Sequence, residues 1–207
     1  MRFCTVDKVQ FGHPKRMTPA DLAHMTSRID RAFRSVRRAS GDSYCTSYRA
    51  AGQDFKTNFT AIGIKPPEQL EDDFLSLFVW VWSLKDPIKY AYEARGLRGA
   101  LVEEVVNAST ELSYVADIAN RAKHGRLSSS RSGEYPELID VGFTIPDFAV
   151  AKITVAGPDV TLEVKDPEQV EIHATIATKA GLRIDALEVL SEAMRCWESK
   201  LLSRIAT

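Results

Sequence analysis

The sequence predicts an α+β chain that is mainly α: an antiparallel helical bundle of about four main helices, with a small antiparallel β-meander inserted before the C-terminal helix. Three observations lead there. Apolar residues recur at three-and-four spacing in the stretches 18–39, 67–94, 100–124 and 184–205; clear period-two alternation is confined to 138–178; and capping residues stand where helices should start and stop.

In the first stretch Thr18 can cap, Pro19 suits the first helical position, and Asp21 lies in the first turn, where the helix dipole favours an acid. Leu22, Met25, Ile29, Phe33 and Val36 form one stripe, with Arg31, Arg34 and Arg38 as a basic ridge on the opposite side. Residues 40–66 hold Gly41, Gly52, Gly63 and Pro66 among many polar residues and read as a connection with at most short local structure. The stretch 67–94 opens at Pro67 with Glu68, Glu71, Asp72 and Asp73. Its stripe is Leu70, Phe74, Phe78, Val81 and Leu84, widened by Trp80 and Trp82. Pro87 removes a backbone donor, so a kink is expected there, with Asp86 capping the restart.

After the turn at Arg95–Gly99, one continuous helix is expected over 100–124, its stripe running Leu101, Val105, Ala108, Leu112, Val115, Ala119 and Ala122. Gly125 supplies its left-handed end. The Ser/Arg/Gly-rich run 125–136 is an exposed loop. Val160, Leu162 and Val164, then Val170, Ile172, Ala174 and Ile176, alternate with polar residues as strands of the meander. Asp185 caps the final helix, with Glu188 three residues on, and Leu190, Ala193, Trp197 and Leu201 return it to the bundle.

Composition narrows the functional classes. With 207 residues, 44% hydrophobic and 27% charged, the chain suits one ordinary globular domain over 1–207. No run approaches the roughly 18 apolar residues of a membrane span, and the N-terminus lacks an apolar export core, so a cytoplasmic protein is expected. Cys4, Cys45 and Cys196 are widely spaced and odd in number, which fits reduced thiols; no metal and no cofactor are expected. A net charge of −1 hides an asymmetry: Arg2 to Arg38 carries nine basic residues against three acidic, and Lys65 to Asp117 five against ten. The basic end can face nucleic acid or the acidic middle of its own chain.

Chemistry concentrates in DIANRAKHG at the end of the third predicted helix. At about 100° per residue, Asp117, Asn120, Arg121 and His124 share one side, with Lys85 and Asp86 of the preceding helix as supporting partners. Three readings are open: a solvated helix face, a buried structural network, and a ribonuclease-like site. In the last, His124 moves a proton, Arg121 grips phosphate, and Asn120 or Asp117 orients them. Lys123, Arg126 and Arg131, with the basic ridge of Arg31, Arg34 and Arg38, would attract the RNA backbone.

A helical bundle with a polar residue, an arginine and a histidine near one helix end resembles the HEPN superfamily. WSLKD at Trp82–Asp86, DIANRAKHG at Asp117–Gly125 and a last helix bearing Trp197 also resemble small uncharacterised bacterial proteins. The likeness covers roughly half the chain. It implies a metal-independent endoribonuclease of toxin–antitoxin or antiviral type, acting on RNA, pairing with an antitoxin or other partner protein, and forming a homodimer. The HEPN pattern sets four to six residues between arginine and histidine, whereas two separate Arg121 from His124. The alternative expectation is a non-catalytic protein-interaction or oligomerisation module with a structural polar cluster.

Overall fold

The computed structural model describes residues 19–49 and 56–205. Thr18 and His13 lie outside the described residues. The helices are α1 (Pro19–Val36), α2 (Pro67–Ser83), α3 (Lys85–Ala94), α4 (Ala100–Asn107), α5 (Thr110–His124) and α6 (Ala186–Lys200). The strands are β1 (Ser40–Tyr48), β2 (Thr57–Ile64), β3 (Glu137–Thr144), β4 (Val150–Ala156), β5 (Asp159–Val164), β6 (Glu171–Ala177) and β7 (Arg183–Asp185).

A helical bundle with one small meander is therefore not the architecture. Among the described residues seven strands form two sheets, one ordered β1-β2-β5-β4 and the other β3-β6-β7. In the first, β2 runs parallel to β5, with Asn58 beside Asp159 and Ile62 beside Glu163. Residues 40–64, expected as a connection, instead supply half of that sheet as an antiparallel pair. The meander expected over 138–178 is divided, β4 and β5 joining the first sheet while β3 and β6 build the second.

Two further boundaries move. The helix expected over 100–124 breaks at Ala108 and Ser109, where the Ser109 hydroxyl caps α5 by accepting from the Leu112 N–H. The break re-aims α4, so Val102 and Val106 are fully buried while Leu101 and Val105 are only half-buried and Ala108 is exposed. The second helix divides at Leu84, two residues before the expected Asp86. Asp86 is an exposed residue in the first turn of α3 and caps nothing, because Lys85 is already helical. At the other ends local chemistry behaves as expected. Gly125 closes α5 at φ 71°, and Asp185 accepts from the Glu188 N–H to open α6. The last helix stops at Lys200, earlier than expected, and gives way to a 3-10 turn at 202–204.

The main core joins α2, α5 and α6 to one face of the β3-β6-β7 sheet. Trp197 is fully buried there, its indole N–H donating to the Val81 carbonyl at 3.2 Å. Truncating such a side chain costs about 3–5 kcal/mol. Tyr92, also buried, donates to the Leu201 carbonyl and fastens the chain end to α3. Burial raises the Tyr92 phenol, with the Arg204 charge working in the opposite direction. A second core gathers Ala61, Ile64, Leu162, Val164 and Val170 on the inner face of the first sheet. Ile172 packs against both cores and so couples the sheets.

The seam between α1, the first sheet and α2 is polar and internally bonded. Lys65 is buried and its ammonium donates to Asp73 at 2.7 Å and to the Ser35 carbonyl at 2.9 Å. Ser35 Oγ donates in turn to Asp73 at 3.1 Å, so one ion pair ties three elements. Nearby, Gly63 has φ +91°, and a Cβ placed there would stand 2.8 Å from the Val164 carbonyl oxygen. Only glycine meets both demands. Gly63→Ala is expected to lower stability by roughly 1–3 kcal/mol, read as a shift of the urea midpoint with the slope unchanged.

Candidate functional site at the end of α5

The residues singled out on α5 divide into a sealed part and an open part. Asp117 is 1% exposed, and its carboxylate accepts four hydrogen bonds from the loop that follows the helix. Ser130 Oγ donates at 2.7 Å, Ser132 Oγ at 2.8 Å and Ser132 N–H at 3.0 Å to Oδ2, while Arg131 N–H donates to Oδ1 at 2.7 Å. A carboxylate withdrawn from water requires such donors, and here they come from a run of serines that would otherwise stay in solvent. Asp117 thus shapes residues 130–132.

Shaping that loop places Arg131. Its guanidinium donates to Asn107 Oδ1 at 2.7 Å and to Glu103 Oε2 at 3.1 Å. Lys85 donates to the other oxygen of Glu103 at 2.9 Å. Both cations also stand over Trp82, Lys85 at 5.0 Å and Arg131 at 5.5 Å from the ring centroid. The indole therefore has two positive charges near it, bridged by the one carboxylate of Glu103. The Lys85 hydrogen bond is the main influence holding Glu103 below the usual carboxylate range; burial opposes it, and the Lys85 and Arg131 charges and the Arg131 hydrogen bond add to it.

Arg121 turns away from this group and pairs with Glu137 on β3. Its Nε is buried and has no hydrogen-bond partner among the described residues. Such an orphan donor costs about 1–3 kcal/mol, and the pairing holds Arg121 against the second sheet.

Asn120 and His124 line an open pocket of about 510 Å³ together with Arg126, Leu127, Ser128 and Ser129. His124, Lys123 and Arg126 are exposed. No hydrogen bond or ion pair occupies these three side chains among the described residues. Thus Asn120 and His124 share a pocket, Asp117 is consumed by the loop, and Arg121 is engaged elsewhere. Of the supporting pair, Lys85 reaches the network through Glu103 and Asp86 does not enter it. Comparisons of the chain with family models, curated proteins and solved structures find no match.

The α1 ridge is separate. Arg31 donates to Ser27 within its own helix, and Arg34 and Arg38 are exposed. Because α1 packs on α2 and α3 while α5 packs on α2, α4 and α6, the ridge and the pocket stand on different elements. Among the described residues no three His, Cys, Asp or Glu side chains gather as metal ligands. His24 and His173 are isolated and exposed.

Sequence reasoning missed Ser130, Ser132, Glu103, Asn107 and Glu137. A signal existed for the serines, since a helix-borne acid followed by a Ser-rich loop offers hydroxyl and backbone donors within one reversal of the chain. None existed for Glu103, whose place depends on the break at Ser109.

Asp117→Ala strands four donors and is expected to cost about 2–4 kcal/mol. In the same variant, tryptic cleavage after Arg126 and Arg131 should accelerate under native conditions. Glu103 gives a second expectation. Its folded-state affinity for protons is lowered, so the unfolded chain binds more protons and stability rises with pH through this window. The contribution is present above the ordinary glutamate value and is lost as pH falls below it, through the lowered folded-state range. Glu103→Gln should flatten that part of the stability profile measured by denaturant titration.

Proposed function

We propose that the protein is a cytosolic RNA-directed protein that holds single-stranded RNA at the end of α5 without cleaving it. One observation carries the reading: His124 and Asn120 open into a pocket beside exposed Lys123 and Arg126, while Arg121 and Asp117 are committed to the scaffold. Uncommitted cations beside an open pocket suit a phosphodiester backbone. The C-terminal end of a helix is itself negative and repels anions, so attraction comes from these side chains. Asn120, Ser128 and Ser129 offer hydrogen bonds to phosphate, ribose or base.

We base binding without cleavage on what surrounds His124 among the described residues. Cleavage by the 2′-hydroxyl needs a base for the attacking oxygen and an acid for the departing one. Arg121, the natural stabiliser of the phosphorane charge, is turned to Glu137. The likeness to HEPN proteins then concerns RNA as ligand rather than the reaction.

Fluorescence anisotropy of a short labelled single-stranded RNA in EDTA tests this. Arg126→Ala is expected to weaken binding and to reduce the slope of log affinity against log salt by about 0.7, the value for one single-strand phosphate contact. His124→Ala should weaken binding with no change in fold. RNA scission in EDTA that disappears in His124→Ala would overturn the non-cleaving assignment and restore the endoribonuclease. An affinity that ignores both substitutions would remove the pocket as the RNA site.

A second reading, a module that recognises a partner protein, an antitoxin or another copy of itself, is favoured by a different observation. Ile153 and Val155 stand 61% and 68% exposed on β4, at the edge of the first sheet.

A further inference from the structure

Strand β4 has every feature of an unfinished sheet. It pairs with β5 on one side and, among the described residues, has no neighbour on the other. Six of its seven residues are exposed. Register places Ile153 opposite Leu162 and Val155 opposite Val160. Phe59 and Ala61 lie beside Val160 and Leu162 on the parallel neighbour, so all six share the sheet's apolar face. That face is covered over Ala61 and Leu162 and runs out uncovered at Ile153 and Val155. An exposed strand edge with β-branched residues along one face is a template for another strand.

We infer that β4 pairs antiparallel with β4 of a second copy, about a two-fold axis at Thr154, to make one continuous eight-stranded sheet. The inference rests on the interaction-module reading and names its partner. Antiparallel pairing centred on Thr154 sets Ile153 against the Val155 of the other copy, and Val155 against its Ile153, extending the apolar face without interruption. Centring on Ile153 would instead set Val155 against Ala151. Charge favours the same register. Lys152 is the one charged residue of β4 and lies on the polar face with Thr154 and Ala156. Centred on Thr154, it comes opposite the Ala156 of the other copy, whose own cross-strand neighbour on that face is Asp159. Lysine's long stem, which already faces Glu163 across its own sheet, also extends towards that second acid, while the two lysines stay four residues apart along the strands, about 13 Å. Opposite charges approach and like charges do not.

The test uses the full chain. Sedimentation equilibrium is expected to give a dimer, and Val155→Lys, at a position open to solvent, is expected to give a monomer with unchanged circular dichroism and melting temperature. Thr154→Cys should form an intermolecular disulfide under mild oxidation, because facing residues at the axis come within disulfide reach, whereas Lys152→Cys should not. A monomeric wild-type protein whose Thr154→Cys variant forms no such bond overturns self-pairing and leaves a different protein partner for the edge. A dimer that survives Val155→Lys at full affinity removes β4 as the interface and overturns the pairing, while self-recognition through another surface keeps the module reading. Loss of the dimer in Val155→Lys together with a disulfide through Lys152→Cys overturns the register.

Discussion

A carboxylate withdrawn from water must be surrounded by donors, and around Asp117 that requirement organises much of the molecule. Four donors from Ser130, Arg131 and Ser132 converge on it. The loop cannot satisfy the acid without turning back along α5, and once it has turned, Arg131 is delivered to Glu103, Asn107 and Trp82. Lys85 completes the arrangement from the start of α3. One buried charge thereby couples α5, α4, α3 and the end of α2 through a chain of polar contacts, in a region where apolar packing alone would fix position but not register. The same turn of the loop brings Ser128 and Ser129 to the rim of the open pocket. Scaffold and candidate site are two sides of one reversal.

What the sequence disclosed was local. The stripe of α1, the Asp185 cap, the Gly125 terminus and the buried Trp197 each follow from residues within a few positions of one another. Sheets were less legible. β1 has Tyr44, Thr46 and Tyr48 on one face with only Tyr44 half-buried, so it lacks the apolar alternation that announces a strand. β2 reads weakly because Gly63 interrupts it, and its reason to be a strand lies in β5, far along the chain. In the 100–124 region the apolar periodicity continued smoothly across Ser109, concealing a break that the hydroxyl cap imposes.

The polar cluster was legible as composition and illegible as geometry. Helical spacing did put Asp117, Asn120, Arg121 and His124 on one side of α5, as the 100° rule requires. Within such a sector, however, neighbouring elements decide which way each long side chain turns. Glu137 on β3 takes Arg121, the serine loop takes Asp117, and only the last turn remains open. A helical wheel carries no information about partners delivered by strands from another part of the chain.

The parallel contact between β2 and β5 has a consequence for how the chain is made. Asn58 and Asp159 are 101 residues apart, and their side chains are joined at 2.7 Å in the finished sheet. On a ribosome adding about 5–20 residues per second, the β1–β2 hairpin emerges roughly 5 to 20 seconds before its central neighbour exists. Through that interval the inner edge of β2 is bare, and the hairpin has only one partner strand where stable sheets need at least three. The helices of residues 67–124, rich in short-range contacts, can form meanwhile. Assembly of this protein is therefore ordered by its own topology: the helical middle precedes completion of either sheet, with nascent chains passing through a stage at which one strand waits for a sequence not yet translated.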